Sequence, residues 1–231
     1  MGHFNLSLII PTYNELDNLP ELYRRIQKLD ISIEIIIVDD NSPDGTGQLA
    51  DQISSEDQNV TVIHRPGKLG LSSAVIAGLN ISKGQSVAVI DADLQHPPEI
   101  LLQMVKRLES GFQIVVASRY VEGGGIIGWS FSRNIVSKIA RLAANLLIHQ
   151  SRRVKDPMSG FFAVNRQVLD GVTFNHLGFK ILLEVLAKAK YSSVTEVPYV
   201  FTPRLRGTSK LRSSEVYAYL KLLLTLFFNK T

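Results

Sequence analysis

Short apolar runs alternate along the chain with segments whose apolar residues recur at helical spacing. Leu6–Pro11 is the first run and reads as a strand. Asp17–Leu29 follows, with Leu19, Leu22, Ile26 and Leu29 on one helical face. Ile33–Val38 is β-branched and predicts a second strand. Asp44–Ser54 then reads as a helix, Val60–His64 as a short strand, Leu71–Ser82 as a helix and Val87–Ile90 as a strand. Pro98 suits the start of a helix continued by Glu99–Leu108, and Gln113–Ala117 predicts another strand. Strands alternating with helices in this way predict an α/β fold, a mostly parallel sheet with helices on both faces.

The second half is less regular. Phe131–Ile148 places Ile135, Val136, Ile139, Leu142, Ala143, Leu146 and Leu147 among Arg133, Lys138 and Arg141, the pattern of a basic amphipathic helix at a core edge or a membrane surface. Gly160–Val164 and Ser193–Val200 read as strands, with a helix through Lys180–Ala189 between them. Val216–Phe228 is apolar except for Lys221 and Thr225, yet shorter than the about 20 residues a bilayer span requires. Residues 214–231 therefore read as an interfacial helix. No internal repeat, low-complexity tract or linker interrupts residues 1–231, which read as a single domain.

Charge sharpens this picture. Residues 119–155 carry Arg119, Arg133, Lys138, Arg141, Arg152, Arg153 and Lys155 against one acid, Glu122; residues 200–214 carry Arg204, Arg206, Lys210 and Arg212 against none. These segments hold a net +10 in a chain of net +4, so the remainder stands at −6. Such asymmetry implies anionic partners for the C-terminal half. No nucleic-acid motif accompanies it, so phosphorylated small molecules or an anionic membrane fit better than nucleic acid. The absence of cysteine excludes disulfides and thiolate metal sites.

The candidate chemistry lies at predicted strand ends. Val87–Ile90 runs into Asp91-Ala92-Asp93-Leu94-Gln95-His96. Ligands of open α/β sheets bind outside the carboxyl ends of the strands, and alternate residues there point the same way. Asp91 and Asp93 would therefore face one crevice. Two close carboxylates repel unless a cation compensates them, and Mg²⁺ or Mn²⁺ with a phosphate ligand would do so; a solvated turn is the plain alternative. Strand one ends in Pro11-Thr12-Tyr13-Asn14-Glu15 and strand two in Asp39-Asp40-Asn41-Ser42-Pro43-Asp44-Gly45-Thr46. Ser42 and Asp44 suit helix caps, whereas Asp39 reads as a ligand for a ribose or base. Arg65-Pro66-Gly67-Lys68-Leu69-Gly70 opens a helix and suits a phosphate or nucleotide edge, or a plain turn. Gly123-Gly124-Gly125-Ile126-Ile127-Gly128 fits G-x-G-x-x-G but lies several residues past its strand. It reads as a flexible loop over the site rather than a dinucleotide fingerprint. His96 reads as a loop histidine ahead of a metal ligand, Gln95 as a carbonyl ligand, and Trp129 as a packing aromatic.

Taken together, these strings resemble the inverting family 2 glycosyltransferases, and within them the catalytic domains of dolichol-phosphate mannosyltransferases. The resemblance spans about Ser7 to Leu211 and is most specific in VDDNSPDGT, DADLQHPPE, SRY with the following GGG and GW plus Arg133, and RLRGTSKL. It implies a GT-A fold, a single Rossmann-like domain, with amphipathic membrane-interface helices. It also implies site roles. Pro11, Tyr13, Glu15, Asp39, Asp40, Lys68, Asp91 and Ala92 would bind the donor nucleotide. Asp91, Asp93 and Gln95 would hold Mn²⁺ or Mg²⁺. Arg119, Arg133, Ser137, Arg204 and Lys210 would gather the acceptor phosphate, with Asp91, Asp93, Arg119, Arg133 and Arg204 as the catalytic set.

The activity so implied is transfer of mannose from GDP-mannose to dolichyl or another polyprenyl phosphate, with inversion, at the cytoplasmic face of a membrane. Many relatives carry transmembrane helices after this domain, so a membrane-anchoring region or subunit is a further expected partner. The alternatives are the same transfer from UDP-glucose, and a non-catalytic nucleotide-sugar binding subunit. A sugar-1-phosphate nucleotidyltransferase would need a Gly-rich loop where Pro11–Glu15 stands, and the Q-x-x-R-W signature of polymer synthases is absent.

Overall fold

The computed structural model describes residues 5–174, 180–203 and 213–228. Their elements run β1 (Leu6–Thr12), α1 (Leu19–Ile26), β2 (Ile33–Asp39), α2 (Thr46–Glu56), β3 (Val60–His64), α3 (Leu71–Ile81), β4 (Ser86–Val89), α4 (Ile100–Glu109), β5 (Ile114–Ser118), β6 (Gly125–Ile126), α5 (Phe131–Leu147), β7 (Phe162–Asn165), α6 (Ile181–Lys188), β8 (Val194–Pro198), β9 (Val200–Phe201) and α7 (Ser213–Phe228). Short 3₁₀ turns follow α5 and β7.

Among the described residues, seven strands form one sheet in the order β3-β2-β1-β4-β7-β5-β8. Its pairs are parallel except those of β7, which runs against both β4 and β5. From β1 the chain winds outward to β2 and β3, then returns to place β4 on the other side of β1. That reversal makes a switch point between β1 and β4, and open α/β sheets bind ligands in the crevice beyond the carboxyl ends of the strands at such a point.

The period-2 alternation of each strand sorts its side chains to two cores. Leu6, Leu8 and Ile10 pack with α1 and α4 on one face, while Ile9, Ile36 and Val38 pack with α3 and α6 on the other. A third cluster joins Ala144 and Ile148 to Leu183 and to Tyr219, Leu222, Leu223 and Leu226. These four residues of α7 are thus ordinary core, and the Tyr219 hydroxyl donates to the Ala140 carbonyl at 2.5 Å. The apolar stripe of α5 behaves otherwise. Phe131, Ile135, Val136, Ile139, Leu142 and Leu146 are exposed, and only Ala144 of the helix is buried.

Two expectations change. The strand read over Ser193–Val200 divides at Tyr199, whose amide still donates to Ser118 O at 3.1 Å. After it the chain leaves the main sheet, and Val200–Phe201 pairs in parallel with Gly125–Ile126. The glycine-rich segment is accordingly no flexible lid. The Gly125 amide donates to Tyr199 O (3.1 Å) and the Ile127 amide to Phe201 O (2.9 Å). A β-carbon on Gly128 would lie 2.5 Å from Pro203 Cγ, so the glycine there serves close packing as well as its left-handed φ of 76°.

One close approach tests the sheet–helix packing. A β-carbon on Gly78, within α3, would meet Ile9 Cγ2 at 2.7 Å. Alanine in place of a helical glycine ordinarily stabilises by about 1 kcal/mol, whereas overpacking a core costs about 1–3 kcal/mol. Gly78→Ala is expected to lower the urea midpoint. A raised midpoint would show that α3 rides further from β1 than this contact requires.

Candidate active site

The crevice is bordered by tightly capped strand ends. Non-glycine residues in the left-handed region follow β1, β2 and β4: Asn14 (φ 59°), Asn41 (φ 57°) and Leu94 (φ 61°). Asparagine tolerates this conformation, but a buried leucine rarely adopts it. The strain at Leu94 lies between Asp93 and Gln95, where the chain must turn sharply off the sheet edge.

On the β1–β2 side the acids are committed within the protein. Asp39 is buried and accepts from Thr12 Oγ (3.0 Å), Ser42 Oγ (2.5 Å) and the Ser42 amide (2.9 Å). Its carboxylate therefore organises the turn after β2, a role sequence reasoning had withheld from it. Asp40 accepts from Arg65 Nη1 at 2.6 Å and from the Leu69 and Gly70 amides at 3.2 Å, in a buried ion pair. The amides that open α3 thus already face an anion, the protein's own, instead of standing open for a phosphate. Asp44 accepts from the Thr46 hydroxyl (2.6 Å) and amide (3.0 Å) and from the Leu16 amide (3.2 Å), which is the capping role its position predicts. Burial would raise its pKa, but these hydrogen bonds outweigh burial and lower it. Glu15 accepts from Asn18 at 2.7 Å. Tyr13 and Lys68 do meet, with the ammonium 3.8 Å from the ring centroid, and bridge the loops after β1 and β3. Pro11 and Ala92 are buried.

Beyond β4 the surroundings differ. The Asp91 side chain keeps 34% exposure, while Asp93 is buried and accepts from the Gln95 amide at 3.1 Å. Gln95 donates through Nε2 to Thr202 O at 2.9 Å, which turns its carboxamide oxygen away from that contact. His96 lies on the loop between β4 and α4. It is fully buried against Phe161, Tyr199 and Phe201, with Nδ1 3.5 Å from Asp91 Oδ2. Burial pushes its pKa down to about 4, against an opposing pull from Asp93.

The adjoining wall is basic and aromatic. Arg119, at the end of β5, donates Nε and Nη2 to the two oxygens of Asp156 at 2.8 and 2.7 Å, and its amide donates to Asp156 as well. Burial alone would lower the arginine's pKa, but Asp156 reverses this and the net shift is upward. Half of the Arg119 donor edge is therefore held by a carboxylate. Trp129 stands between the arginines, with the guanidinium of Arg133 4.4 Å and that of Arg119 5.4 Å from its ring. Tyr120 joins Ser137 to this wall by a 3.0 Å hydroxyl contact and carries Arg141 at 4.3 Å. The structure thus brings Arg119, Arg133 and Ser137 together. Arg204 and Lys210 lie outside the described residues. Asp156 was missed as an individual residue. Its signal was that of an acid directly after the basic run Arg152, Arg153 and Lys155.

Among the described residues, no three His, Cys, Asp or Glu side chains converge in a metal-ligating group. The oxygen donors of Asp91, Asp93 and Gln95 nonetheless fit a hard cation of the Mg²⁺ class, which takes one or two carboxylates and draws its other ligands from phosphates and water. Gly160 keeps that side open, since a β-carbon there would approach Asp91 Oδ2 to 3.1 Å.

The chain matches glycosyl transferase family 2 over residues 7–185. It is 46% identical over 218 residues to a dolichol-phosphate mannosyltransferase of Pyrococcus furiosus, covering 94% of this chain and 62% of that protein. It is 37% identical over 218 residues to a polyprenol monophosphomannose synthase of Mycolicibacterium smegmatis, covering 90% and 82%. The chain therefore spans about three-fifths of the first relative's length. Among solved structures, it superposes on glucosyl-3-phosphoglycerate synthase from Mycobacterium tuberculosis, crystallised with Mn²⁺, UDP-glucose and phosphoglyceric acid. The TM-score is 0.69 at 21% identity, with 98% of this chain and 79% of that one covered. A mannosyltransferase from Pyrobaculum calidifontis, in complex with GDP-mannose and Mn²⁺, gives a TM-score of 0.65 at 19% identity over 100% of this chain and 64% of that one. The shared architecture is the GT-A fold. With its strand order, its acidic β4 edge and a match across most of its length, this chain belongs to glycosyl transferase family 2.

Proposed function

We propose that the chain transfers mannose from GDP-mannose to the phosphate of a polyprenol of the dolichyl type, with inversion and with Mn²⁺ or Mg²⁺ bound. The observation that carries this reading is the meeting of two walls of opposite charge. Asp91 adjoins His96, whose ring meets Phe201, which in turn meets Trp129 beneath the Arg119 and Arg133 guanidinium groups. The names of the 46% and 37% identical relatives support the same donor sugar and acceptor class.

The two walls divide the work. Asp91, Asp93 and Gln95 would hold the cation, which when bound supplies charge neutralisation on the departing nucleoside diphosphate. Tyr13 and Lys68 flank the nucleotide side of the crevice. A phosphate monoester has a second pKa near about 6, so at neutral pH the acceptor is largely dianionic and needs no base to become a nucleophile. The protein's task is to position that anion and exclude water. This agrees with Asp156, whose two oxygens are engaged by Arg119. A carboxylate so held serves the arginine's orientation instead of proton abstraction.

The lipid is expected to stay in its membrane. Among the described residues no helix is long and apolar enough to cross a bilayer. The exposed Ile139, Leu142 and Leu146 of α5 lie beside exposed Lys138, and α7 adds Leu220, Leu224 and Phe228. Apolar contacts flanked by cations suit adsorption to an anionic surface.

Three outcomes check these readings. Transfer measured across a panel of radiolabelled nucleotide sugars is expected to be greatest with GDP-mannose. In the same assay Asp93→Ala should reduce turnover at least about a hundredfold, the scale set by losing several kcal/mol of charge stabilisation. Full activity of that variant with a chelator present would refute the metal reading. In the second, Arg119→Lys and Arg133→Lys should both impair transfer while calorimetric donor affinity holds, because lysine lacks the planar fork. Arg119→Lys alone should also lose stability, since it weakens a buried pair; equal unfolding midpoints for the two variants would contradict that distinction. In the third, flotation with anionic liposomes should be strong at low salt and fall as salt screens the attraction. Leu142→Glu with Leu146→Glu should abolish it. Flotation untouched by both changes would assign this face to ordinary protein contact.

A further inference from the structure

His96 occupies a place that packing alone would give to phenylalanine. Its ring lies 5.5 Å from those of Phe161 and Tyr199 and 5.8 Å from that of Phe201. Yet it carries a polar Nδ1 that finds no hydrogen-bond partner. Burying such a nitrogen carries a desolvation penalty that a phenyl ring avoids. The polar group adjoining it is Asp91, with Oδ2 3.5 Å away. Gly160 lies against both groups, since a β-carbon there would lie 3.1 Å from that oxygen and 3.5 Å from His96 Cε1.

We propose that His96 is the positioning residue for Asp91. An ionised carboxylate only accepts, so the proton of the buried imidazole belongs on Nδ1, facing Oδ2. The present separation exceeds the 2.7–3.2 Å range of a good N–H···O bond, and a shift of about half an ångström by the carboxylate closes it. Hydrogen bonds of this kind tighten when a site is loaded. The three rings fix the imidazole, so the carboxylate is the partner that moves. Once made, the bond holds Oδ2 against the aromatic floor and turns the other oxygen of Asp91 to the crevice. His96 itself ligates nothing, because its Nδ1 points at Asp91 and its side chain is only 3% exposed. This inference rests on the reading of Asp91 as a ligand of the donor's cation.

The test uses Mn²⁺ with GDP as the probe and follows free Mn²⁺ by electron paramagnetic resonance. His96→Phe keeps the ring packing and removes the donor. It is expected to weaken Mn²⁺ binding about 10–100-fold, the usual loss when a ligand's supporting hydrogen bond is removed, with metal-free thermal stability equal or higher. His96→Asn places an amide N–H near the Nδ1 position and should recover most of the affinity. His96→Gln, whose amide reaches further, should not. Asp91→Asn is titrated in parallel. If it binds Mn²⁺ as the parent does, the reading of Asp91 as a ligand falls. If Asp91→Asn loses the metal while His96→Phe keeps it, the positioning role is overturned. Should His96→Phe fail to fold, equal affinities for His96→Asn and His96→Gln overturn it as well.

Discussion

The antiparallel entry of β7 between β4 and β5 is the constraint on which the site depends. A parallel strand at that position would bring its approach loop to the amino edge of the sheet. Because β7 runs the other way, the segment Asp156–Phe161 arrives at the carboxyl edge, beside Asp91 and Arg119. Asp156 then meets Arg119, Gly160 comes up against Asp91, and Phe161 seats the His96 ring. The acidic and basic walls are thereby joined by one short loop, and neither could hold its geometry alone.

The buried ion pairs around this edge are better understood as positioning than as stabilising devices. Replacing such pairs with apolar residues is often neutral or favourable, whereas breaking one is costly. Asp40 with Arg65 ties the loop before α3 to the end of β2, and Asp156 with Arg119 ties the loop before β7 to the end of β5. Each spends a conspicuous pair of charged residues on the relative placement of two loops that border the crevice. Most acids at the β1–β2 edge are saturated by local donors, while Asp91 keeps the exposure a ligand needs.

The helices α5 and α7 extend the same logic outward. Tyr219, Leu222, Leu223 and Leu226 anchor α7 to the third core, and Ala144 and Ile148 anchor the end of α5. The rest of the α5 apolar stripe faces away, next to the Trp129–Arg133 stack. An exposed apolar face of this kind marks an interaction surface.

Much of this was legible from sequence. Apolar runs such as Leu6–Pro11 and Ile33–Val38 specify strands buried on both faces, and helical spacing at Leu19, Leu22 and Ile26 specifies their cover, because periodicity is a local property of the chain. Asp91 and Asp93 stood out because a paired carboxylate at a strand end has few structural reasons to exist. What sequence could not decide was partnership, which depends on contacts between residues far apart in the chain. Asp39 and Asp40 look alike as neighbours, yet one caps its own turn and the other neutralises Arg65, 25 residues on. Arg119 read as an anion ligand, but its pairing with Asp156, 37 residues on, was not legible. The glycine run read as a lid until β9 paired with it. His96 is the loop residue its position predicts, but its burial among three rings from distant segments was not legible. Local pattern determined which elements form and where charge collects; the assignment of each charge to a partner or to a ligand was made by strand order, because only the folded sheet brings those loops to one edge.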